Sequence, residues 1–371
     1  MNKKLISLLL SAALAVSMLT VPAFAAEGGE ADAALDETNE VVVTLGDTVT
    51  ASTVEATDKA AADKTAADKA KTADSAPAAS TEKKQITYVA LGDSIVAGVG
   101  LADVKYAKDS TTLYSVDMSP NFKGYSPDCY VGKVAAMMGL DRDHAINLGL
   151  PALTAPDLAD MVRDGQMPKM NMESGCWYKY PEFQDYIRKA DVVSVQIGSN
   201  DAFVPCIVAL GNATNWKSEA LAASVLAGDL RASGSPAAAL IQGIKDMHLT
   251  RDERNATWNL LTSEMGKICD RIYPQTTSGL ISVVQEIRKL NPDCQILLMG
   301  YTDPVPFVPC WHNYFKKLNK FEKQLAETYD LTYVAIPKAK TDLDVHPTIS
   351  GHEYIAKKIV NSIELPEDSA Q

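Results

Sequence analysis

The stretch ITYVALGDSIVAG, residues 86–98, decides how this chain is read. Ile86 to Leu91 form a near-continuous apolar run, as expected of a strand covered on both faces of a sheet. The run breaks at Gly92-Asp93-Ser94. Glycine permits a sharp turn there. A serine directly after a buried strand stands at the carboxyl edge of the sheet, where α/β proteins collect their chemistry. If a helix follows, Ser94 also offers its own backbone N–H to an oxyanion. Glycine turns with serine are common, so this segment alone defines no site. Asp93, beside the serine, is expected to brace the turn rather than to move protons.

Four more apolar runs share the character of the first: Ala145 to Leu148, Val192 to Ile197, Gln295 to Met299 and Leu331 to Ile336. Amphipathic helical patterns separate them, such as Val131 to Gly139, Leu280 to Leu290 and Tyr314 to Tyr329. Strands alternating with helices predict an α/β sandwich around a parallel sheet, built from residues 85–366. About 280 residues suffice for a sizeable core in one domain. Between the third and fourth runs lies a helical insertion, about 202–278, with an Ala-rich stretch at 219–240 and a helical pattern over Thr257 to Ile272. It is either a lid or substrate wall, or extra packing.

Two further segments complete a constellation. The third run ends in Gly198-Ser199-Asn200-Asp201, which puts Asn200 at the same sheet edge as Ser94. Its amide can donate to a developing oxyanion; the alternative is that Asn200 and Asp201 cap the next helix. Near the C-terminus comes Asp342-Leu343-Asp344-Val345-His346-Pro347, then Gly351-His352. His346 is a candidate general base for the distant Ser94, with Asp342 or Asp344 holding its tautomer.

In this order the three segments resemble the SGNH hydrolases, also called GDSL esterases and lipases. YVALGDSIVAG at 88–98 is similar to the family's first block, VVSVQIGSNDAF at 192–203 to its third and DVHPTISGH at 344–352 to its last. The resemblance implies a three-layer α/β/α sandwich with a central, mostly parallel five-stranded sheet, the flavodoxin-like SGNH fold. It implies Ser94 as nucleophile, His346 as base and Asn200 as an oxyanion donor beside the Ser94 N–H. Two positions depart from the family pattern. Aligned on Asn147 and Thr154, the second block's glycine becomes Ala152, which keeps an N–H and so can still donate, but is safe from backbone strain only at negative φ; Gly149 is the fallback. The family's Asp-x-x-His spacing falls on Leu343, so Asp344 is assigned as the acid, with Asp342 or a backbone carbonyl as alternative.

The implied activity is hydrolysis of carboxylic esters without metal or organic cofactor. Short-acyl or acetylated-carbohydrate esters are the expected substrates. The alternatives are a lipase or lysophospholipase of the same family, and a catalytically weak cell-surface or binding protein on the same scaffold.

The rest of the chain bears on where it works. Lys3 and Lys4, the apolar run 5–18 and Ala23-Phe24-Ala25 read as a signal peptide over residues 1–25. Residues 26–84 lack aromatics and carry an excess of acids, with Asp-Lys pairs at 58, 63 and 68. Such a segment reads as a disordered linker. The expected location is therefore secreted or envelope-associated, with no stable transmembrane anchor. The formal net charge of −12 gives no electrostatic case for nucleic acid. Six cysteines, at 129, 176, 206, 269, 294 and 310, lack metal-type clustering, and export would permit disulfides. His144, His248 and His312 are read as surface residues and His352 as a packing or capping residue. Trp177, Trp216, Trp258 and Trp311 are read as core or rim aromatics rather than a sugar platform.

Overall fold

A computed structural model describes residues 85–101, 103–104, 122–173, 175–218, 220–221, 236–304, 309–341 and 346–364. The signal-like residues 1–25, the acidic linker and most of the Ala-rich stretch lie outside the described residues.

Five strands form one all-parallel sheet: β1 (Tyr88–Gly92), β2 (Ala145–Gly149), β3 (Val192–Gln196), β4 (Gln295–Met299) and β5 (Thr332–Val334). Their order across the sheet is β2-β1-β3-β4-β5, the flavodoxin-like arrangement. Every residue of β1, β2 and β3 is buried, which is why these strands are apolar without alternation. Each run expected from the sequence overlaps its strand, with ends that differ by no more than two residues.

Helices cover both faces, giving the α/β/α sandwich. They are α1 (Ser94–Ala97), α2 (Tyr130–Met138), α3 (Ala155–Asp164), α4 (Phe183–Arg188), α5 (Ser199–Ala213), α6 (Pro236–Asp246), α7 (Arg251–Asn259), α8 (Met265–Leu290), α9 (Pro309–Tyr329) and α10 (Ile349–Val360). Helix α10 packs on α2, and α8 packs along α3, α5 and α9. No helix among the described residues is long and apolar enough to cross a membrane.

Local chemistry sets the helix ends. Thr154 opens α3 with a capping box: its hydroxyl donates to Asp157 Oδ2 at 2.6 Å and accepts the Asp157 N–H. Gly165 closes the same helix in the left-handed region. Thr348 caps α10 by accepting the Gly351 N–H at 3.1 Å.

The stretch read as an insertion is partly core. Helix α5 starts two residues after β3 and buries Phe203, Val204, Cys206, Ile207 and Leu210. The expected helix Thr257 to Ile272 is instead split between α7, a π turn at Leu260–Glu264 and the start of α8. Met265, Cys269 and Thr276 of α8 are buried. Cys269 contacts both Cys206 and Cys310 where α5, α8 and α9 meet.

Candidate active site

The register of the sheet brings three chain exits to one point. Gly92 pairs with Gly149 on one side and with Gln196 on the other. Ser94, the 150–154 segment and Asn200 therefore leave neighbouring strands at the same edge. Hydrogen bonds tie these exits together. Leu150 N–H donates to Gly92 O at 2.8 Å, Ser199 Oγ to Asp93 Oδ2 at 2.7 Å and Asn200 Nδ2 to Leu153 O at 3.0 Å.

The turn before the serine admits only glycine. Gly92 has φ +153°, and a Cβ there would sit 2.0 Å from Gln196 O. Asp93 then caps α1, its Oδ1 accepting the Ile95 N–H at 2.9 Å. Its Oδ2 also receives the Tyr301 hydroxyl at 3.4 Å. Burial pushes the Asp93 carboxyl up from its ordinary pKa, while Ser199, the Ile95 N–H and the nearby His346 pull it back. Both its oxygens are engaged, so its role is to brace the turn. Asn147 holds the helix from the other side. Its Nδ2 donates to Val96 O at 2.8 Å and its Oδ1 accepts the Gly149 N–H at 2.9 Å.

Ser94 is half-buried at the start of α1, and its Oγ lies 2.9 Å from His346 Nε2. The two residues are 252 positions apart in the chain. His346 sits at the end of a pinned segment. Thr341 bridges Pro347, and the Thr348 N–H donates to Lys340 O at 2.9 Å. Asp342 and Asp344, the two acids expected to serve this imidazole, lie outside the described residues.

The candidate oxyanion donors differ in what their N–H groups do. Gly149 N–H is taken by Asn147 Oδ1, which removes the fallback donor from use. The N–H groups of Ser94 and Ala152 meet no acceptor among the described hydrogen bonds. Ala152 has φ +62°, not the negative φ at which an alanine is unstrained, although its N–H is kept. For an alanine the left-handed region costs about 1–2 kcal/mol. The segment meets this with partners on three successive carbonyls. Pro151 O accepts from the Tyr178 hydroxyl at 2.8 Å, Ala152 O contacts Cys176 Sγ at 3.9 Å and Leu153 O accepts from Asn200.

Asn200 does not cap α5. The N-cap is Gly198, which has no side chain to offer, and the Asn200 amide reaches across to the 150–154 segment. The next residue, Asp201, also reaches across: its Oδ2 accepts the Ala155 N–H at 2.9 Å. Burial pushes Asp201 up to about 7, with that N–H opposing the shift. Its neighbour Asp157 adds to the rise.

Tyr178, Asn147, Ser199 and Tyr301 hold the site, and none was singled out as a site residue from sequence. Ser199 was within reach of that reading because it lies in the quoted third block. The tyrosines carry no local signal. His352 is buried with a pKa pushed down to about 3 by that burial, and its Nδ1 accepts the Tyr130 N–H at 3.2 Å, opening α2. His144 and His312 pair with Asp141 and Asp303 near the surface. Trp311 is core, whereas Trp177 and Trp258 are half exposed. No cluster of His, Cys, Asp and Glu among the described residues is arranged for a metal ion.

A parallel sheet of this order, with a serine hydroxyl and an imidazole in contact at its carboxyl edge, has the make-up of a hydrolase. The GDSL-like lipase/acylhydrolase profile matches residues 90–354, well over half of the chain. The chain belongs to that family and is a carboxylic ester hydrolase. No curated relative matches the sequence.

Among solved structures the chain is similar to a lipase from a goat rumen metagenome, at 14% identity and a TM-score of 0.42, covering 75% of this chain and 97% of that one. It is similar to phospholipase A1 from Streptomyces albidoflavus NA297, at 15% identity and a TM-score of 0.38, covering 76% and 100%. A mutant acetyl-xylooligosaccharide esterase from Geobacillus Stearmophilus is also similar, at 17% identity and a TM-score of 0.39, covering 76% and 98%.

Proposed function

We propose that this esterase works in two steps through Ser94 and His346, on short-acyl or acetylated-carbohydrate esters outside the cell. The observation that carries the mechanism is the 2.9 Å contact between His346 Nε2 and Ser94 Oγ. In the first step the Ser94 hydroxyl proton passes to Nε2 while Oγ attacks the ester carbonyl carbon. The oxyanion that forms is held by the Ser94 and Ala152 N–H groups and the free N–H of the Asn200 amide. Collapse expels the alcohol, which takes its proton from the imidazolium. Water then attacks the acyl-Ser94, giving a proton to Nε2, and the acid leaves as Ser94 regains its hydrogen. Asp344, or Asp342, orients the imidazole. No step needs a metal or cofactor.

The substrate and location rest on the N-terminal sequence. A signal-like segment and a long acidic spacer suit an enzyme that reaches extracellular or envelope-borne esters.

The test is one panel of acetyl to long-chain acyl esters, run on the wild type and Ser94→Ala. We expect Ser94→Ala to lose at least ~10³-fold in kcat, in line with nucleophile removal elsewhere. A fluorophosphonate probe should add to Ser94 in the folded protein. Near-wild-type activity in Ser94→Ala overturns the mechanism. A preference for long acyl chains replaces the short-acyl reading with a lipase. Absence of both turnover and adduct leaves a binding protein on this scaffold.

A further inference from the structure

The hairpin-like excursion between Gly165 and Tyr180 touches the oxyanion segment but belongs to no part of the mechanism above. Its base is closed by a Gln166–Lys179 bridge and by two backbone hydrogen bonds, Met167 N–H to Tyr178 O at 2.9 Å and Tyr180 N–H to Gly165 O at 2.7 Å. Trp177 Nε1 donates to Met167 O at 3.1 Å, and the Tyr178 ring stacks on Tyr180. Asn171 Nδ2 donates to Asp157 Oδ2, in the capping box of α3. The excursion is thereby fixed to the sandwich on both sides. From it the Tyr178 hydroxyl reaches Pro151 O at 2.8 Å.

That carbonyl and the Ala152 N–H are two ends of one peptide unit. The chain has no cis peptide bonds among the described residues, so the two groups point in opposite directions in one plane. Whatever fixes the Pro151 carbonyl therefore fixes the direction of the Ala152 N–H. The constraint matters because Ala152, at φ +62°, is held in a region an alanine avoids. A flip of this peptide would return Ala152 to negative φ and swing its N–H away from the oxyanion. A neutral hydrogen bond is worth about as much as that strain, so one hydroxyl is enough to shift the balance between the two orientations.

We propose that Tyr178 is a positioning residue for ester hydrolysis, holding the Pro151–Ala152 peptide so that the Ala152 N–H stays directed at the oxyanion. The inference rests on the assignment of Ala152 as an oxyanion donor. Burial keeps the Tyr178 hydroxyl protonated, hence a donor, across the working pH range. A hydrogen bond at the carbonyl end also polarises the N–H end of the same unit.

The experiment compares kcat and KM on a short acyl ester for the wild type, Tyr178→Phe, Tyr178→Phe with Ala152→Gly, Asn200→Ala and Ser94→Ala. Tyr178→Phe keeps the ring and its stacking, and near-unchanged thermal melting will show that it folds. We expect its kcat to fall about tenfold, which corresponds to about 1.4 kcal/mol of transition-state stabilisation, with KM within about twofold. Glycine at 152 removes the strain, so the double variant should regain most of the lost kcat; a merely structural tyrosine would show no such rescue. If Tyr178→Phe keeps its kcat while Asn200→Ala and Ser94→Ala lose theirs, the inference fails and the mechanism stands. If the loss occurs without rescue, Tyr178 acts otherwise than on this peptide, and the inference also fails. If Ser94→Ala remains active, mechanism and inference fall together.

Discussion

Gly92 shows how far one residue governs the site. It carries φ +153°, and an added Cβ would meet Gln196 O at 2.0 Å and Val96 Cγ2 at 2.6 Å. The Gln196 carbonyl cannot move without shifting β3, which leads into the helix that carries Asn200. Gly92→Ala is therefore expected to destabilise the fold by about 3 kcal/mol or more, or to prevent recovery of folded protein. Urea unfolding checks this; a midpoint near that of the wild type would show that the turn has another conformation open to it. Ala152 is the opposite case, a side chain where glycine would be relaxed. It shows a limit of reading letters: the sequence displays an alanine but not the sign of its φ. The same holds for Gly149, whose N–H was free on paper and is occupied by a side chain two residues before it.

At the level of elements, the cap of α3 anchors the segment that carries Ala152. Thr154 Oγ1 and Asp157 form a closed box, and Asp157 Oδ2 also receives Asn171 from the neighbouring excursion. Thr154→Ala should cost about 1 kcal/mol in equilibrium unfolding. A loss indistinguishable from zero would mean that the Asp201–Ala155 bond alone secures this helix end. The five strands were legible because each is a short apolar run buried on both faces, a pattern that needs no partner to be seen. The blocks that carry Ser94 and Asn200 were legible because each runs directly out of a strand, whereas the His346 block lies well beyond β5 and was legible by its own residue pattern. The helical reading failed where packing overrides local pattern: α8 continues through Pro274, and its N-terminal approach runs through a π turn. Tyr178 and Tyr301 were invisible because their partners lie 27 and 208 residues away. A tyrosine that acts through a hydroxyl on a remote carbonyl or carboxylate leaves no trace in spacing.

For the whole molecule, buried carboxyls set how stability responds to pH. Glu322 of α9 is fully buried, neither of its oxygens has a hydrogen-bond partner among the described residues, and burial holds its pKa well above the ordinary 4.5. The folded protein thus keeps a proton that the unfolded chain releases above about pH 4.5. Stability is then fully present below that pH and declines as pH rises, by about 1.4 kcal/mol per unit until the folded pKa is reached. Asp201 acts in the same sense between 3.8 and about 7. Replacing the acid with an apolar side chain of similar size, Glu322→Met, should stabilise the protein at pH 8 by at least about 1 kcal/mol. The gain should narrow as pH approaches 4.5. Unfolding curves at pH 5 and pH 8 test this, and an equal gain at both values would contradict the assigned shift.

The 252-position separation of Ser94 and His346 has a consequence for the enzyme's own birth. The ribosome delivers Ser94, Ala152 and Asn200 early, and the proposed base arrives only after β5 has been made. On the proposed mechanism, a nascent chain, or one cut short anywhere between α5 and Thr341, would carry Ser94 with no imidazole to activate it. Esters of the producing cell would then be spared during synthesis, and turnover would require the last segment to have folded back against the sheet edge. Hydrolysis would be, in effect, a report that the chain had been finished and folded.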